Sequence, residues 1–266
     1  MSKGILTDIT KCIGCLKCVS ACKETHHLEA DEPRIWQKND GLSAENWTSI
    51  IRKTVPGESR QGKPIDRYIR KQCRHCLNPS CASVCPVGAM HKTKIGAVVY
   101  DSSKCLGCRY CMMACPYGIP RYEWDKSVPY IEKCILCYDR IEKGEQPACT
   151  AACPQKATIY GNRSELLKIA RKRIKENPGK YINKIWGEHE VGGTSVLYLS
   201  DIDLGFLSYP TKLGNEPLPD KTATAMESVP FAFVGMGGVM LGLNWIIRRR
   251  MELRKEEKTK KEQADE

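Results

Sequence analysis

Sixteen cysteines in a chain of 266 residues fall into four sets of four, with none left over. The sets are Cys12, Cys15, Cys18 and Cys22; Cys73, Cys76, Cys81 and Cys85; Cys105, Cys108, Cys111 and Cys115; and Cys134, Cys137, Cys149 and Cys153. Their spacings are C-x2-C-x2-C-x3-C, C-x2-C-x4-C-x3-C, C-x2-C-x2-C-x3-C and C-x2-C-x11-C-x3-C. With only 3 Phe, the chain has a modest apolar core. Something besides packing must organise the fold, either disulfides or metal ligation. The opening MSKGILTDITKC has no charged segment followed by an apolar stretch, so no secretory signal is expected. The thiols therefore read as metal ligands rather than as disulfide partners.

A cubane [4Fe–4S] cluster needs one thiolate on each iron. Three cysteines on a tight loop wrap three corners. The fourth follows four positions later, where the chain is starting a helix and pointing away. In two-cluster bacterial ferredoxins that cysteine ligates the other cluster, so the spacing points to an exchange of fourth cysteines. Cys85-Pro86, Cys115-Pro116 and Cys153-Pro154 carry the C-P ending of such loops, whereas Cys22 is followed by Lys23. Proline restrains the backbone of the ligand before it. Gly14 and Gly107 are expected to let the backbone lie close to sulfide. Zinc is the alternative, since four all-cysteine sites would also use sixteen thiols. Structural zinc usually takes two well-separated C-x2-C knuckles, however, and a third Cys at +3 with a fourth at +4 suits a cube.

Short β-prone runs flank the loops: GILTDI before the first, AVVYD (Ala97 to Asp101) before the third, and ATIYG (Ala157 to Gly161) after the fourth. His26 to Pro64 is polar and broken by Gly and Pro, which predicts an insertion of loops. Arg163 to Asn177 has helical apolar spacing and is closed by Pro178-Gly179; its basic run predicts a solvated face. Val229 to Ile247 has no charged residue, and its 19 residues span ~28 Å as a helix, close to a ~30 Å hydrocarbon core. Pro230 suits a first helical turn and Trp245 an interfacial position. RRRMELRKEEKTKK follows at once, so a single transmembrane anchor is predicted, with the basic tail in the cytoplasm and the cysteine-rich part on the opposite face. Gly235, Gly238 and Gly242 share a face of this helix, where another membrane helix could approach.

The formal net charge is +11, which invites a nucleic-acid reading. Each oxidised cluster with its four thiolates adds two negative charges, leaving about +3 on the loaded chain; nucleic-acid binding has no further support. All four irons of each cluster have a cysteine, so none is open to substrate. There is no dinucleotide fingerprint, P-loop or triad motif. The five histidines, His26, His27, His75, His91 and His189, form no haem-attachment motif, and His75 beside Cys76 reads as exposed or structural. No catalytic residue is predicted. The chain reads as an electron conduit, with a self-standing, membrane-anchored polyferredoxin or a directly catalytic subunit as rivals.

The order of the four sets, with its widened fourth member, resembles the four-cluster iron–sulfur (beta) subunit of membrane-bound respiratory formate dehydrogenases, hydrogenase-2-type enzymes and related molybdopterin oxidoreductases. The resemblance covers roughly Ile5 to Ser200 and includes GEHEVGGTSVLYLS (Gly187 to Ser200). It implies four [4Fe–4S] clusters with ligand sets Cys12/Cys15/Cys18/Cys153, Cys22/Cys134/Cys137/Cys149, Cys73/Cys76/Cys81/Cys115 and Cys85/Cys105/Cys108/Cys111. That pairing implies an α+β fold of two interleaved bacterial two-[4Fe–4S] ferredoxin-like modules. The outer module would comprise 1–30 plus 124–161 and the inner one 66–123, with insertion loops at 31–65. An extension at 162–228, the anchor at 229–247 and a charged cytoplasmic tail at 248–266 would follow. The implied partners are a catalytic large subunit, of the molybdenum or tungsten formate dehydrogenase or nickel–iron hydrogenase type, and an integral membrane quinone-reactive or cytochrome b subunit. The resemblance also implies export of the folded cluster domain with a partner that carries a twin-arginine signal.

Overall fold

A computed structural model describes residues 2–28, 32–37, 41–55, 64–207 and 213–264. Parts of the predicted insertion, extension and tail lie outside these residues. Residues 1–219 form one compact unit and residues 220–266 another.

The first β-prone run is strand β1 (Lys3–Asp8), followed by one 3-10 turn, Ile9–Lys11, and helix α1 (Lys17–His26). The helix therefore starts before the third cysteine and not at the fourth, where the spacing alone would put it. It also outlasts its counterparts. Where a proline follows the fourth cysteine the helix stops at once; Lys23 imposes no such stop, and α1 runs on to His26.

The stretch predicted to be loops carries strands instead: β2 (Ile35–Trp36) and β3 (Ser49–Val55), joined by β4 (Ile65–Lys71) into a sheet of order β2-β3-β4. The β3–β4 pair is antiparallel, with Ile50 opposite Arg70. Ile50, Ile51 and Ile69 are buried, and Ile51 and Ile69 belong to the main core, which is what holds these polar-looking strands in place. Arg67 Nε, shared between Asp201 Oδ1 (3.0 Å) and Oδ2 (2.8 Å), and Nη2, donating to Oδ2 (2.5 Å), tie the sheet to the chain beyond Ser200.

The second and third cysteine sets frame a small module. Helix α2 (Ser80–Ser83) ends before Cys85-Pro86, and hairpin strands β5 (Met90–Lys92) and β6 (Val98–Tyr100) lead to helix α3 (Tyr110–Ala114), which ends at Cys115-Pro116. The entry to the third set repeats that to the first: Asp8 and Asp101 each cap a 3-10 turn, accepting from the N–H of Thr10 and Ser103. The repeated D-x-x-K-C-x-G-C sequence thus folds twice in the same way. Met90, Val98, Cys111 and Ile131 form this module's core.

Strands β7 (Arg121–Tyr122) and β8 (Ile131–Glu132) pair, and short helices α4 (Tyr138–Glu142) and α5 (Ala148–Ala151) carry the fourth set. Strand β9 (Thr158–Asn162) and helix α6 (Arg163–Glu176) match the predicted elements. The Gly187 to Ser200 stretch contributes β10 (Val196–Leu199), which pairs parallel to β1, while β9 pairs antiparallel on its other side. Leu6, Leu166, Leu197 and Leu199 are buried where α6 covers this sheet; truncating one such leucine to alanine costs about 2–5 kcal/mol. Asp8, wholly buried at the end of β1, accepts from Thr10 Oγ1 (2.7 Å), Tyr181 Oη (2.9 Å) and Arg173 Nη1 (3.1 Å).

The last unit is one long helix, α7 (Asp220–Ala264). Residues 220–255 are long and apolar enough to cross a membrane, and the side chains of Phe231 (80 % exposed) and Val234 (77 %) are bare. Pro230 lies inside α7, not in its first turn, because the helix begins at Asp220.

Candidate metal centres

The four cysteine loops share one backbone device. A non-glycine residue takes a left-handed conformation beside a ligand: Leu16 (φ 61°) after Cys15, His75 (φ 48°) before Cys76, Arg109 (φ 62°) after Cys108, and Leu136 (φ 62°) before Cys137. Such residues cost roughly 1–2 kcal/mol each. Gly14 and Gly107 take the same region at φ +69° and +74°. Main-chain N–H groups donate to sulfur: Gly107 to Cys105 Sγ (3.3 Å), Met90 to Cys85 Sγ (3.4 Å), Ile119 to Cys115 Sγ (3.4 Å) and Leu136 to Cys134 Sγ (3.4 Å). These donors suit sulfurs that carry negative charge.

The loops are brought together across the chain. Cys12, Cys15, Cys18 and Cys153 line one cavity with Arg70 and Thr158. Burial pushes the Cys22 thiol well above its usual range, and Cys134, Cys149 and Cys137 push it further the same way. Burial likewise raises Cys76, whose neighbours are Cys73, Cys115 and Cys81. Cys111 is pushed up to about 11 by burial, beside Cys105, Cys108 and Cys85. Further contacts link these groups: Cys18 feels Cys149, Cys134 feels Cys73, and Cys81 feels Cys111. Cys15 and Cys108 are exposed, while Cys22, Cys73, Cys111, Cys134, Cys137 and Cys149 are buried.

Among the described residues, no three His, Cys, Asp or Glu side chains converge closely enough to hold a single ion. Four thiolates on one zinc, at a Zn–S distance of ~2.3 Å, would stand about 3.8 Å apart. Thiolates on separate corners of a cube stand farther apart. The all-cysteine donor set and its N–H···S bonds fit cubane clusters.

Four side chains near the thiols are not evident from the sequence or differ from its reading. His26, carried by the extension of α1, places Nε2 3.3 Å from Cys137 Sγ and packs on Trp47 at 4.7 Å. The signal is the missing proline after Cys22. Of the two readings of His75, exposed or structural, the second holds: it is wholly buried, its Nδ1 accepts from Val98 N–H (3.0 Å), and burial first, then Lys133 and Lys92, hold its pKa well below the usual value. Lys133 is buried and donates to the carbonyls of Val98 (2.5 Å) and Cys134 (3.1 Å). Arg70 is buried among the cysteines of the first and fourth sets.

Two family models, each described as a 4Fe-4S dicluster domain, match residues 11–89 and 66–163. The hydrogenase-2 operon protein HybA of Escherichia coli O157:H7 is 35 % identical over 279 residues, spanning 93 % of this chain and 84 % of the relative. The iron-sulfur subunit of the nitrate-inducible formate dehydrogenase of Escherichia coli K12 is 34 % identical over 201 residues, 73 % of this chain and 66 % of the relative. A subunit of the anaerobic dimethyl sulfoxide reductase of the same organism is 38 % identical over 174 residues, 62 % of this chain and 76 % of the relative. Two dicluster domains give four [4Fe–4S] clusters, and sixteen cysteines are present. The resemblance seen in the cysteine order is thus matched along nearly the whole chain, and the protein belongs to the family of beta-type, four-cluster iron–sulfur electron-transfer subunits of multi-subunit oxidoreductase complexes.

Proposed function

We propose that this chain relays electrons between a catalytic large subunit and an integral membrane quinone-reactive or cytochrome b subunit. When bound, the clusters supply reversible one-electron chemistry; the polypeptide sets where they sit and what surrounds them. One observation carries the reading. Cys18 lies within electrostatic reach of Cys149, Cys134 of Cys73 and Cys81 of Cys111, which links the four assigned sets in a row whose first and last members include exposed Cys15 and Cys108. A relay needs that continuity inside and that access at both ends.

The ligand sets we assign are Cys12/Cys15/Cys18/Cys153, Cys22/Cys134/Cys137/Cys149, Cys73/Cys76/Cys81/Cys115 and Cys85/Cys105/Cys108/Cys111, following one another in that order. They make an outer module of 1–30 plus 124–161, into which the inner module, 66–123, is inserted. The matched 11–89 and 66–163 stretches overlap and cut across both modules. The catalytic partner is of the nickel–iron hydrogenase or the molybdenum or tungsten formate dehydrogenase type. The fuller coverage of HybA, 84 % against 66 % for the formate dehydrogenase subunit, favours the hydrogenase type. Purification from native membranes in mild detergent should bring down a large catalytic subunit with this chain. Migration of the fully loaded chain by itself would favour a self-standing polyferredoxin and end the proposal.

The apolar part of α7 anchors the chain, with Arg248, Arg249, Arg250, Arg254 and Lys255 on the cytoplasmic side and the cluster unit on the other. Protease added to spheroplasts should digest the cluster unit. Digestion in inside-out vesicles alone would reverse the orientation.

A further inference from the structure

Arg70 lies on β4 and is 2 % exposed. Its carbonyl accepts from Tyr198 Oη (2.6 Å), which fixes the backbone. Nη2 donates to Thr158 Oγ1 (3.1 Å), whereas Nε and Nη1 are buried and meet no oxygen or nitrogen acceptor among the described residues. No Asp or Glu forms an ion pair with it among those residues either. An isolated guanidinium in such a place is strongly disfavoured unless a negative partner shares the site.

The surroundings supply that partner. Arg70 and Thr158 line the cavity of Cys12, Cys15, Cys18 and Cys153. The groups that most favour the charged guanidinium are Cys149 and Cys18, which belong to different ligand sets. One buried cation therefore stands against cysteines of two proposed sets.

On the ligand sets assigned above, we propose that Arg70 is a potential-setting residue shared by two clusters: its buried positive charge, with Nε–H and Nη1–H free to donate to sulfur, raises the reduction potentials of the Cys12/Cys15/Cys18/Cys153 cluster and the Cys22/Cys134/Cys137/Cys149 cluster together. An electron arriving on either cluster adds negative charge beside this guanidinium, so the reduced form is favoured. Arg70 is a positioning residue in this role, because it takes no electron itself. Thr158 holds the guanidinium in register through Nη2.

The test is a redox titration of the whole membrane-bound complex, followed by electron paramagnetic resonance, for the Arg70→Met, Arg70→Lys and Thr158→Val variants. The two signals are identified by their loss in Cys153→Ser and Cys22→Ser. With iron content unchanged, Arg70→Met should lower both potentials by about 59 mV, a tenfold change for a one-electron couple. Arg70→Lys keeps the charge and should shift both by less. Thr158→Val should shift the same two in the same direction by a smaller amount, and it decides the matter where Arg70→Met does not load with iron. Unchanged potentials in a fully loaded Arg70→Met complex overturn the role of Arg70. A shift confined to one cluster overturns the sharing. A shift in the two clusters lost with Cys73 and Cys85 overturns the assigned ligand sets instead.

Discussion

Gly14 and Gly107 occupy equivalent places in the repeated D-x-x-K-C-x-G-C loops, yet replacing them should have unequal consequences. Both take positive φ, +69° and +74°, so alanine at either costs about 1–2 kcal/mol in backbone strain. The difference lies in what an added Cβ would meet. At Gly14 three atoms of the Tyr68 ring stand at 2.7, 2.8 and 2.9 Å, closer than real Cβ contacts allow. At Gly107 the nearest atom is Tyr122 Oη, at an ordinary 3.5 Å. Displacing the ring is overpacking, worth about 1–3 kcal/mol more, which brings Gly14→Ala to about 2–5 kcal/mol. Cluster loss is irreversible, so the assay is a rate: decay of cluster absorbance on gentle warming of the anaerobic protein. Where the strain is released on the way to loss, Gly14→Ala should bleach roughly 5- to 150-fold faster than Gly107→Ala. Adding Tyr68→Ala removes the clash, so Gly14→Ala measured in that background should fall to the level of Gly107→Ala. Equal rates for the two glycine variants, or an undiminished effect without the Tyr68 ring, would refute the steric argument.

Cysteine exchange predicts which double variants share a loss. Cys22→Ser combined with Cys134→Ser should remove no more iron than either alone, roughly a quarter, whereas Cys22→Ser with Cys12→Ser should remove about half; the reverse pattern would show that each loop keeps its own fourth cysteine. In the cluster-free chain, burial pushes the Cys18 and Cys81 thiols up to about 12, from an ordinary 9.0. Protonated thiols then contribute stability that is complete below pH 9 and is lost as the pH rises towards 12, because the unfolded chain gives up these protons first. Denaturation of the cluster-free protein should therefore become easier across that window, and a flat profile would count against it.

Much of the architecture is legible where local pattern and chemistry agree. Strands β1, β6 and β9 follow from short β-prone runs, α6 from apolar spacing with a Pro-Gly stop, and the cluster chemistry from cysteine spacing alone. Sequence and structure part where a local rule meets a tertiary one. β4 reads IDRYIRK, a polar segment, because Arg70 and Lys71 are buried against other parts of the chain rather than presented to water. Its partner β3 is hidden for the same reason, since Ile50 and Ile51 gain meaning only once β4 lies beside them. β10 pairs in parallel with β1 from the far side of the sequence, and no nearby turn announces that pairing. His26 was within reach: without a proline after Cys22, α1 has no reason to stop, and about one further turn of helix carries a side chain towards the fourth set.

The same topology ties assembly to conduction. β1 is held between β9 and β10, so the first loop is set in place by segments from the other end of the cysteine-bearing stretch. Asp8, at the exit of β1, is locked by Arg173 and Tyr181 from beyond all four sets. On the assigned ligand sets, neither outer cluster can be completed until Cys134 to Cys153 has arrived. The entropic cost of closing so long a loop grows only logarithmically, so distance in sequence is no obstacle once strong thiolate bonds and a buried sheet reward closure. The inner sets need less of the rest of the chain, because Cys73 to Cys115 is contiguous and carries Met90, Val98 and Cys111, three of the four buried residues of its core, with Ile131 added from the segment that follows. Assembly should then proceed from the inner module outwards. The last bonds to form would be those that complete the row as far as exposed Cys15, so a chain that has finished folding has also finished its relay.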